Sequence, residues 1–454
     1  MQNREYSKRV IVFAMGTILV LTYAIIFGYI WYDYYKNKIF FPFFQRGNWV
    51  LIALYILVFL LFARLYGGLR IGYLKKSDVI YSLIIATLCA NVVLYLQITL
   101  INRWFLSAVP IIVMTGVQCV ISVLWALSSH YIYTHLYKAH DMLVIYGPRK
   151  PEQIIRKMHS RKDKYNITGT IHIDAGEKAI YKEMKKYKAV IIWDLPAETR
   201  NEYLKYCFAH SIRCYITPKI SDIIVSGADR IHLLDTPLLL SKNMGLSGEQ
   251  VVLKRFIDLL ISSVAIVLFS PLMLVIALII KLYDHGPVFY RQERLTIGGK
   301  AFKIFKFRSM CCDSEEHGAR LASKNDSRIT PVGKVLRNLH FDELPQLFNI
   351  FLGDMSVVGP RPERKEIQKE YQRDIPEFYY RLKVKAGLTG YAQVYGKYNT
   401  LPYDKLKMDL YYIENYSVLL DLKLLFMTFK IFAQKETSEG IEDGLDNALQ
   451  MKED

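Results

Sequence analysis

Four long apolar runs dominate the first part of the chain, at residues 10–31, 49–63, 79–101 and 105–127. Most of these runs reach the roughly 20 residues that a helix needs to cross a bilayer. Four runs so close together argue against the buried core helices of a soluble domain. The pattern therefore predicts a four-helix transmembrane domain over residues 1–135.

The pattern changes after the fourth run, where short β-prone segments alternate with charged, helix-prone segments. The β-prone segments are residues 142–146, 167–173, 189–193 and 213–217. Such alternation is typical of a parallel sheet with crossover helices, so we predict a cytoplasmic Rossmann-like α/β domain over residues 136–248. The turn after the first predicted strand lacks G-x-G-x-x-G, which favours a regulatory or dimerising module over a dinucleotide site.

A fifth apolar stretch begins after Lys254 and Arg255 and ends near Lys281. Its length would allow another crossing, but Ser270 and Pro271 lie near its middle, where proline interrupts helical hydrogen bonding. The basic residues at both ends favour the same cytoplasmic surface. We therefore predict a re-entrant helix–break–helix that enters one leaflet, with a kinked fifth span as the alternative.

One acidic residue, Asp258, lies inside this apolar stretch. We expect it to form an ion pair with Arg255 one turn earlier, which would make its burial tolerable; a direct catalytic role is the alternative. The residues assigned to the re-entrant helix are Lys254, Arg255, Asp258, Ser270 and Pro271.

Two adjacent carboxylates, Asp342 and Glu343, come just before an apolar run with helical spacing. Pro345 is tolerated only near a first turn, so both carboxylates are predicted at a helix entrance. The positive helix end would keep Asp342 ionised at neutral pH and also suits a phosphate ligand. An N-capping aspartate before a core helix is the alternative.

A stiff Gly-Pro-Arg-Pro segment follows at residues 359–362 and can direct the guanidinium of Arg361 at phosphate oxygens. An ionised carboxylate and a directed arginine are the parts that phosphoryl transfer through an aspartyl phosphate requires. A plain proline-rich turn is the alternative interpretation.

Further cations precede the two carboxylates. With strand periodicity, Lys306 and Arg308 project from one face of a predicted strand and suit a diphosphate. A charged, solvated strand edge is the alternative. Arg337 lies five residues before Asp342 and can reach the same pocket.

The net charge of +17, from 59 Lys and Arg against 42 Asp and Glu, admits anionic lipid, a phosphorylated substrate or nucleic acid as partners. The predicted spans favour the first two, and no zinc-finger or helix-turn-helix pattern supports nucleic acid. Basic residues before the first span, between the second and third, and after the fourth place these regions in the cytoplasm. The six cysteines show no disulfide framework or CxxC pair, which is typical of reduced thiols.

The last segments add one more possible membrane contact. Residues 411–433 carry an apolar side that is typical of an interfacial amphipathic helix; a helix packed in the core is the alternative. The tail at 435–454 is acidic and predicted to be disordered.

In combination, these motifs resemble those of the bacterial sugar transferases, the monotopic phosphoglycosyl transferases that act on polyprenyl phosphate. The motifs that carry the resemblance are Lys254-Arg255, Asp258, Ser270-Pro271, Gly286-Pro287-Val288-Phe289, residues 303–310, Asp342-Glu343-Leu344-Pro345-Gln346, Gly353-Asp354-Met355-Ser356, Val358-Gly359-Pro360-Arg361-Pro362, Ala386-Gly387-Leu388-Thr389-Gly390 and Asp421-Leu422-Lys423. The predicted spans and α/β domain resemble the long subfamily, the polyisoprenyl-phosphate hexose-1-phosphate transferases.

The resemblance implies transfer of a sugar-1-phosphate from a UDP-sugar to undecaprenyl phosphate with release of UMP. Glucose and galactose are the sugars that the resemblance favours. The reaction would be the first step of capsule, exopolysaccharide or O-antigen synthesis. Asp342 would be the nucleophile and a ligand of Mg²⁺, with Glu343 as its catalytic partner. The implied substrate-binding residues are Lys306, Arg308, Arg337, Arg361 and Gln393. Ala386 and Tyr395 depart from the family's usual proline and asparagine, which leaves the contacts of this segment open.

The predicted architecture is a membrane protein with an α-helical transmembrane bundle, the Rossmann-like α/β domain, an α/β catalytic domain at 249–434 with its re-entrant helix, and the tail. The expected location is the bacterial cytoplasmic (inner) membrane, with the catalytic domain on the cytoplasmic face. Membrane lipid and a second copy in a homodimer are the expected partners. The alternative function is a membrane-bound sensor or scaffold of a polysaccharide assembly complex, although a sensor needs no nucleophile.

Overall fold

The computed structural model describes residues 2–43, 45–241, 245–311, 328–397 and 400–432. The chain forms two compact units, Met1–Thr217 and Pro218–Asp454. The predicted acidic tail at 435–454 lies outside the described residues. The first unit therefore holds the predicted transmembrane helices together with most of the predicted α/β domain.

Four long helices open the first unit and confirm that the predicted apolar spans are helical. They are α1 (Gln2–Ile30), α2 (Gln45–Tyr66), α3 (Lys76–Asn102) and α4 (Val109–Leu136). A π-helical segment, Trp31–Tyr35, continues α1. Each of the four helices is long and apolar enough to cross a membrane.

A network of uncharged polar side chains joins these four helices. Tyr55 Oη donates to Asn91 Oδ1 (3.2 Å), and Asn91 Nδ2 donates to Gln118 Oε1 (2.8 Å). Gln118 Nε2 donates back to Tyr55 Oη (2.8 Å), while Tyr23 Oη lies 2.6 Å from Ser122 Oγ. Interhelical hydrogen bonds stabilise helix packing in hydrocarbon, where the hydrophobic effect between helices is absent.

A parallel four-stranded sheet with intervening helices completes the first unit. Its elements are β1 (His140–Tyr146), α5 (Glu152–His159), β2 (Tyr165–His172), α6 (Glu177–Met184), β3 (Ala189–Trp193), α7 (Ala197–Ala209) and β4 (Arg213–Ile216). The strand order is β2-β1-β3-β4, and every pairing is parallel, as the alternation predicts. Leu143 and Ile145 join one core cluster, and Met142 and Val144 join another. Burial along both faces of a strand is typical of a parallel sheet. The Rossmann-like assignment stays a prediction.

The second unit combines helices with three two-stranded sheets. Its helices are α8 (Ile220–Ser226), α9 (Gly248–Asp284), α10 (Pro331–Asn338), α11 (Gln346–Leu352), α12 (Lys365–Asp374), α13 (Tyr391–Tyr395), α14 (Pro402–Glu414) and α15 (Val418–Phe432). Its strands are β5 (Asp229–Leu233), β6 (Thr236–Leu240), β7 (Phe289–Leu295), β8 (Ala301–Phe307), β9 (Ser356–Val358) and β10 (Gly387–Thr389). The pairs β5–β6 and β7–β8 are antiparallel hairpins, whereas β9 and β10 pair in parallel.

The core of the second unit gathers residues from α11, α14 and the segments between them. Ile350, Met355, Phe378 and Leu406 are fully buried in this core. Helix α8 packs on α14 and adds Ile220 to the same core, although the sequence pattern groups α8 with the α/β domain. The domain limits at 135/136 and 248/249 stay predictions.

Helix α9 runs from Gly248 to Asp284 without interruption, and Pro271 lies inside it. Ser270 Oγ donates to Val267 O (2.9 Å), the carbonyl that the missing N–H of Pro271 leaves without its helical donor. The predicted break in the helix is therefore absent, because this side chain replaces the lost hydrogen bond. The helix is long and apolar enough to cross a membrane, and its re-entrant path stays a prediction.

Polar side chains near the start of α9 hold it against the rest of the second unit. Arg255 donates to two carbonyls in the last turn of α11, at 2.7 and 2.8 Å. Asp258 accepts hydrogen bonds from Ser356 Oγ and Val357 N, both at 2.9 Å. The predicted ion pair between Asp258 and Arg255 is therefore wrong, because the end of α11 needs donors and β9 offers Asp258 an amide.

Candidate active site

The two carboxylates of the predicted dyad lie in a short 3₁₀ turn, Phe341–Glu343, between α10 and α11. His340 precedes the turn with a left-handed φ of 56°. Helix α11 begins only at Gln346, after Pro345 at its N-cap. Asp342 therefore precedes the first turn of α11 instead of lying in it, and it gains less from the helix dipole than the sequence predicts.

Glu343 is held between two cations. Its Oε1 lies 2.7 Å from Lys306 Nζ and 2.8 Å from Arg361 Nη2. Burial disfavours the charged form of Glu343, but Arg361 and Lys306 outweigh burial and hold its pKa well below the usual range. Glu343 in turn raises the pKa of Arg361. This carboxylate is fully ionised and neutralised by its neighbours.

Asp342 has a different environment. It is 8% exposed, and no group in the described part of the chain donates a hydrogen bond to its carboxylate. Burial raises the pKa of Asp342, while Lys306 and Arg337 oppose the rise. The predicted stabilisation of its charge by a helix entrance is thus outweighed by burial. A carboxylate with open lone pairs and a raised pKa is suited to attack an electrophile.

The side chain of Asn349 explains how Lys306 reaches the dyad. Asn349 is fully buried in α11; its Oδ1 accepts from Phe305 N and its Nδ2 donates to Lys303 O, both at 2.9 Å. These bonds attach β8 to α11, so that Lys306 lies opposite Glu343. Sequence reasoning missed Asn349, and the available signal was a polar residue within the apolar run of α11.

The two other predicted cations have separate partners. Arg337 Nε donates to Ser309 Oγ (3.1 Å), and its charge acts on Asp342. Arg308 follows the end of β8, is nearly buried, and forms an ion pair with Asp284 at the end of α9. The structure thus brings Lys306, Arg337 and Arg361 to the dyad, and it gives Arg308 a partner on the apolar helix.

Gln393 lies in α13, and its side-chain amide bonds to a nearby backbone carbonyl and not to the dyad. Its Nε2 donates to Leu388 O (3.3 Å). Its Oε1 is buried and has no hydrogen-bond partner in the described part of the chain. No ligand reaches that atom without a local rearrangement, because it is closed to solvent, and the role of Gln393 in substrate binding stays a prediction.

Sequence reasoning also missed two arginines that hold the Gly-Pro-Arg-Pro segment. Arg381 Nη2 donates to Arg361 O (2.9 Å), and Arg294 Nη1 donates to Pro362 O (3.3 Å). Both residues lie in charged segments that are distant from the turn in sequence. No pattern in those segments marks them, because the contact exists only after folding.

The carboxylates of the site decide whether it can hold a divalent cation. In the described ranges, no three His, Cys, Asp or Glu side chains cluster as a cation site. Magnesium often binds through one or two carboxylates together with substrate phosphates. Asp342 offers a carboxylate without a donor among the described residues, whereas Glu343 is already paired. The residues therefore fit a Mg²⁺ whose other ligands come from a bound phosphate group, and magnesium stays a prediction.

Comparison with known proteins is consistent with this chemistry. Residues 249–435 match the family model described as bacterial sugar transferase. A UDP-N-acetylgalactosamine-undecaprenyl-phosphate N-acetylgalactosaminephosphotransferase of Aeromonas hydrophila is 41% identical over 240 residues, which are 52% of this chain and 56% of that protein. A UDP-glucose:undecaprenyl-phosphate glucose-1-phosphate transferase of Klebsiella pneumoniae is 42% identical over 217 residues, 46% of this chain and 45% of that protein.

The chain thus spans about half the length of these two relatives. A shorter relative is matched almost completely. Exopolysaccharide production protein PSS of Rhizobium leguminosarum bv. phaseoli is 40% identical over 188 residues, which are 39% of this chain and 93% of that protein. The similarity is concentrated in the second unit, which contains the dyad and its cations.

Proposed function

Because the chain belongs to the bacterial sugar transferase family, we propose that it transfers a sugar-1-phosphate from a UDP-sugar to undecaprenyl phosphate and releases UMP. The observation that supports this most directly is the dyad, in which Asp342 has no hydrogen-bond donor among the described residues beside a Glu343 that two cations hold. Glucose and galactose are the first sugars to test, and the names of the relatives add N-acetylgalactosamine.

Asp342 is the proposed nucleophile. Its carboxylate oxygen attacks the β-phosphorus of the UDP-sugar, and the bond from that phosphorus to the bridging oxygen breaks, so that UMP leaves. The enzyme then carries an aspartyl phosphosugar. An oxygen of undecaprenyl phosphate attacks the same phosphorus, which forms the lipid diphosphate sugar and restores the carboxylate.

The cations around the dyad supply the electrostatic stabilisation. Phosphoryl transfer depends mostly on positioning and on charge neutralisation in the transition state. Lys306 and Arg361 already share Glu343, so they can also donate hydrogen bonds to diphosphate oxygens while Glu343 keeps both side chains in place. Arg337 acts on the nucleophile side, where its charge offsets the effect of burial on Asp342.

Magnesium is the cofactor that we propose for this site. Asp342 would hold it together with the diphosphate oxygens, and when bound it would neutralise charge on the diphosphate. Titration of the wild type and of Asp342→Asn with Mn²⁺ in the presence of UDP, followed by electron paramagnetic resonance, tests this assignment. Equal Mn²⁺ binding by the two proteins would contradict Asp342 as a ligand.

The membrane placement is part of the same proposal. The acceptor phosphate cannot leave the bilayer surface, so the nucleophile must be held close to it, and α9 lies in the same unit as the dyad. We place that unit on the cytoplasmic face of the bacterial inner membrane, with α9 re-entrant. Labelling of single cysteines introduced after Asp284 tests this topology; labelling only from outside the cell would contradict it.

A transfer assay tests the activity itself. Membranes that contain the protein are incubated with radiolabelled UDP-sugars, undecaprenyl phosphate and Mg²⁺, and lipid-extractable label is counted. We expect label with at least one UDP-hexose, none with Asp342→Asn, and full label with Asp374→Asn, an exposed carboxylate of α12. No label from any UDP-hexose would favour a sensor or scaffold.

We further propose that the protein is a homodimer, and the β5–β6 hairpin supports this. Every residue of both strands is exposed. The register places Ile231 opposite Leu238, and Leu233 lies on the same face. A lone two-stranded hairpin with an uncovered apolar face is marginally stable in water, so a covering surface is expected.

Charge favours a second copy over lipid as the covering surface. Residues 229–240 carry two acidic residues and one basic residue, within a chain whose net charge is +17. A segment with a net charge of −1 gains no attraction from anionic headgroups, which leaves an apolar protein surface as the better cover. Native mass spectrometry should show dimers for the wild type and monomers for Leu233→Glu. Phe208 is an exposed residue of α7. If Phe208→Glu abolished the dimer and Leu233→Glu did not, the contact would lie on the sheet domain.

A further inference from the structure

The backbone of the segment from Pro360 to Glu363 is held through its carbonyls. Four successive carbonyls each accept one hydrogen bond from outside the segment. The pairs are Gly387 N to Pro360 O (2.9 Å), Arg381 Nη2 to Arg361 O (2.9 Å), Arg294 Nη1 to Pro362 O (3.3 Å) and Leu295 N to Glu363 O (3.1 Å). Two of the four donors are arginine side chains. Pro360 and Pro362 have no N–H to donate, so half of the segment's residues can form backbone hydrogen bonds only through their carbonyls.

Arg381 is built into the interior behind the segment. It lies in the 3₁₀ run Pro376–Lys383 and is 2% exposed. Its Nε and Nη2 lie 3.0 and 2.9 Å from Asp409 Oδ2, and its Nη1 lies 3.5 Å from Glu363 Oε1. Asp409 is itself almost fully buried in α14. A buried arginine with two carboxylate partners has a fixed orientation, because its planar fork matches their geometry.

Arg361 is therefore held both at its backbone and at its side chain. Its carbonyl accepts from Arg381 on one side, and its guanidinium donates to Glu343 on the other (2.8 Å). The side chain of Arg361 is about half exposed, so packing alone does not fix its direction. What limits its direction is the position of its backbone, which Arg381 and the neighbouring donors determine.

We propose that Arg381, oriented by Asp409, is a positioning residue that sets where the guanidinium of Arg361 meets the diphosphate. This inference rests on the proposed transfer reaction. Arg381 acts through Arg361 and does not touch the substrate. A displacement of about 1 Å at a charge-stabilising group can cost on the order of 100-fold in rate, so a buried residue can matter this much.

A double-mutant cycle tests the proposal. Arg381→Lys keeps the charge but loses the fork, and we expect kcat/KM for the UDP-sugar, measured per folded molecule below the melting temperature, to fall at least about 10-fold. In the Arg361→Met background, Arg381→Lys should cost no more than about 2-fold, because the group that it positions is gone. Equal losses in both backgrounds would overturn the proposal, and so would full activity of Arg381→Lys.

A second measurement does not depend on activity. The amides of Gly387 and Leu295 donate hydrogen bonds to the segment. Hydrogen exchange at these amides should be faster in Arg381→Lys than in the wild type. Asp409→Asn should have the same effect and serves as the test variant if Arg381→Lys does not fold. Arg373→Met, at an exposed site on α12, should leave both amides unchanged. Unchanged exchange in the two test variants would overturn the positioning role. Absence of transfer by the wild type would refute the proposed function instead, while the exchange result would still stand.

Discussion

Two buried polar clusters in the second unit differ in how completely they are satisfied. Around α9, Lys254 Nζ donates to Tyr412 Oη (3.1 Å) and Asp421 Oδ2 (2.6 Å), and Tyr412 Oη donates to Asp421 Oδ1 (2.8 Å). Around the dyad, Glu343 is paired but Asp342 has no donor among the described residues. Both clusters are desolvated.

The difference distinguishes a cluster that stabilises the fold from a cluster that is suited to catalysis. Buried polar groups are normally hydrogen-bonded, because an unpaired one costs free energy. The α9 cluster follows this rule and fixes the apolar helix to α14 and α15. The dyad departs from it at one carboxylate, and Asp342 is the residue that the proposed reaction needs unpaired. Substitutions should therefore affect activity at the dyad and stability at the α9 cluster.

The largest expected effect is on catalysis. Asp342→Asn should lower the rate of transfer by about 10⁴-fold or more, because the amide cannot form the aspartyl phosphosugar. Its melting temperature should not fall, since no protein hydrogen bond in the described structure is lost. Rate measurements and thermal unfolding on the same preparation check both statements. If Asp342→Asn were inactive because it had unfolded, the dyad would affect stability as the α9 cluster does, and the proposed difference between the two clusters would be wrong.

Breaking the satisfied cluster should have the opposite result. Lys254→Met leaves Asp421 buried without its cation, and removal of one partner of a buried pair costs about 3–5 kcal/mol of stability. Chemical unfolding in detergent micelles measures this loss. Below the unfolding temperature, kcat per folded molecule should stay within about 2-fold of the wild type. A large drop in kcat with unchanged stability would place Lys254 in the catalytic machinery.

The pH dependence of stability sharpens the comparison further. The pKa of Asp342 is raised by burial, so this residue stabilises the fold at low pH and the contribution is lost as pH rises through its folded pKa. Asp342→Asn should thus be more stable than the wild type at pH 7, and the gain should shrink in acid.

The pKa of Glu343 is lowered because its cations outweigh burial, so its stabilisation is present above pH 4.5 and lost as pH falls. Glu343→Gln should therefore be less stable than the wild type at pH 7, with a difference that narrows in acid. Melting temperatures of the three proteins between pH 2 and pH 8 give both slopes, because the Glu343 contribution is lost only below pH 4.5. The comparison that decides is which of the two variants has the higher melting temperature at pH 7. If Asp342→Asn were the less stable variant there, the assignment of the unsatisfied carboxylate would be wrong.

The smallest effect is expected at Gln393. The Oε1 of Gln393 is buried without a partner among the described residues, and as a substrate contact the side chain would contribute one hydrogen bond, about 0.5–1.5 kcal/mol. Gln393→Ala should raise KM for the UDP-sugar by about 2- to 10-fold without changing kcat. Steady-state kinetics with the active sugar measures this. An unchanged KM would mean that this free acceptor serves the fold and not the substrate.

Local signals in the sequence predict much of the site. The apolar runs predict α1–α4, and the adjacent carboxylates and the Gly-Pro-Arg-Pro segment point to Asp342, Glu343 and Arg361. These predictions succeed because hydrophobic length and proline stiffness act within a few residues of chain. The homology of the second unit then agrees with the chemistry that the dyad suggests.

The sequence does not predict partners that meet only after folding. Asp258 binds β9 and not Arg255, and Arg381 reaches Arg361 through the interior. The break expected at Pro271 fails for another reason, since Ser270 supplies the missing hydrogen bond locally. In each case the outcome depends on which donor lies closest in space, and residue spacing carries no such information.

Trapping of the covalent intermediate tests the central claim most directly. The purified protein is incubated with a UDP-sugar that is radiolabelled in the sugar and with Mg²⁺, without lipid acceptor. We predict release of about one UMP per active site, retention of label on the protein, and a labelled peptide that contains Asp342. Label that persists in Asp342→Asn, or UMP release that strictly requires undecaprenyl phosphate, would contradict the account.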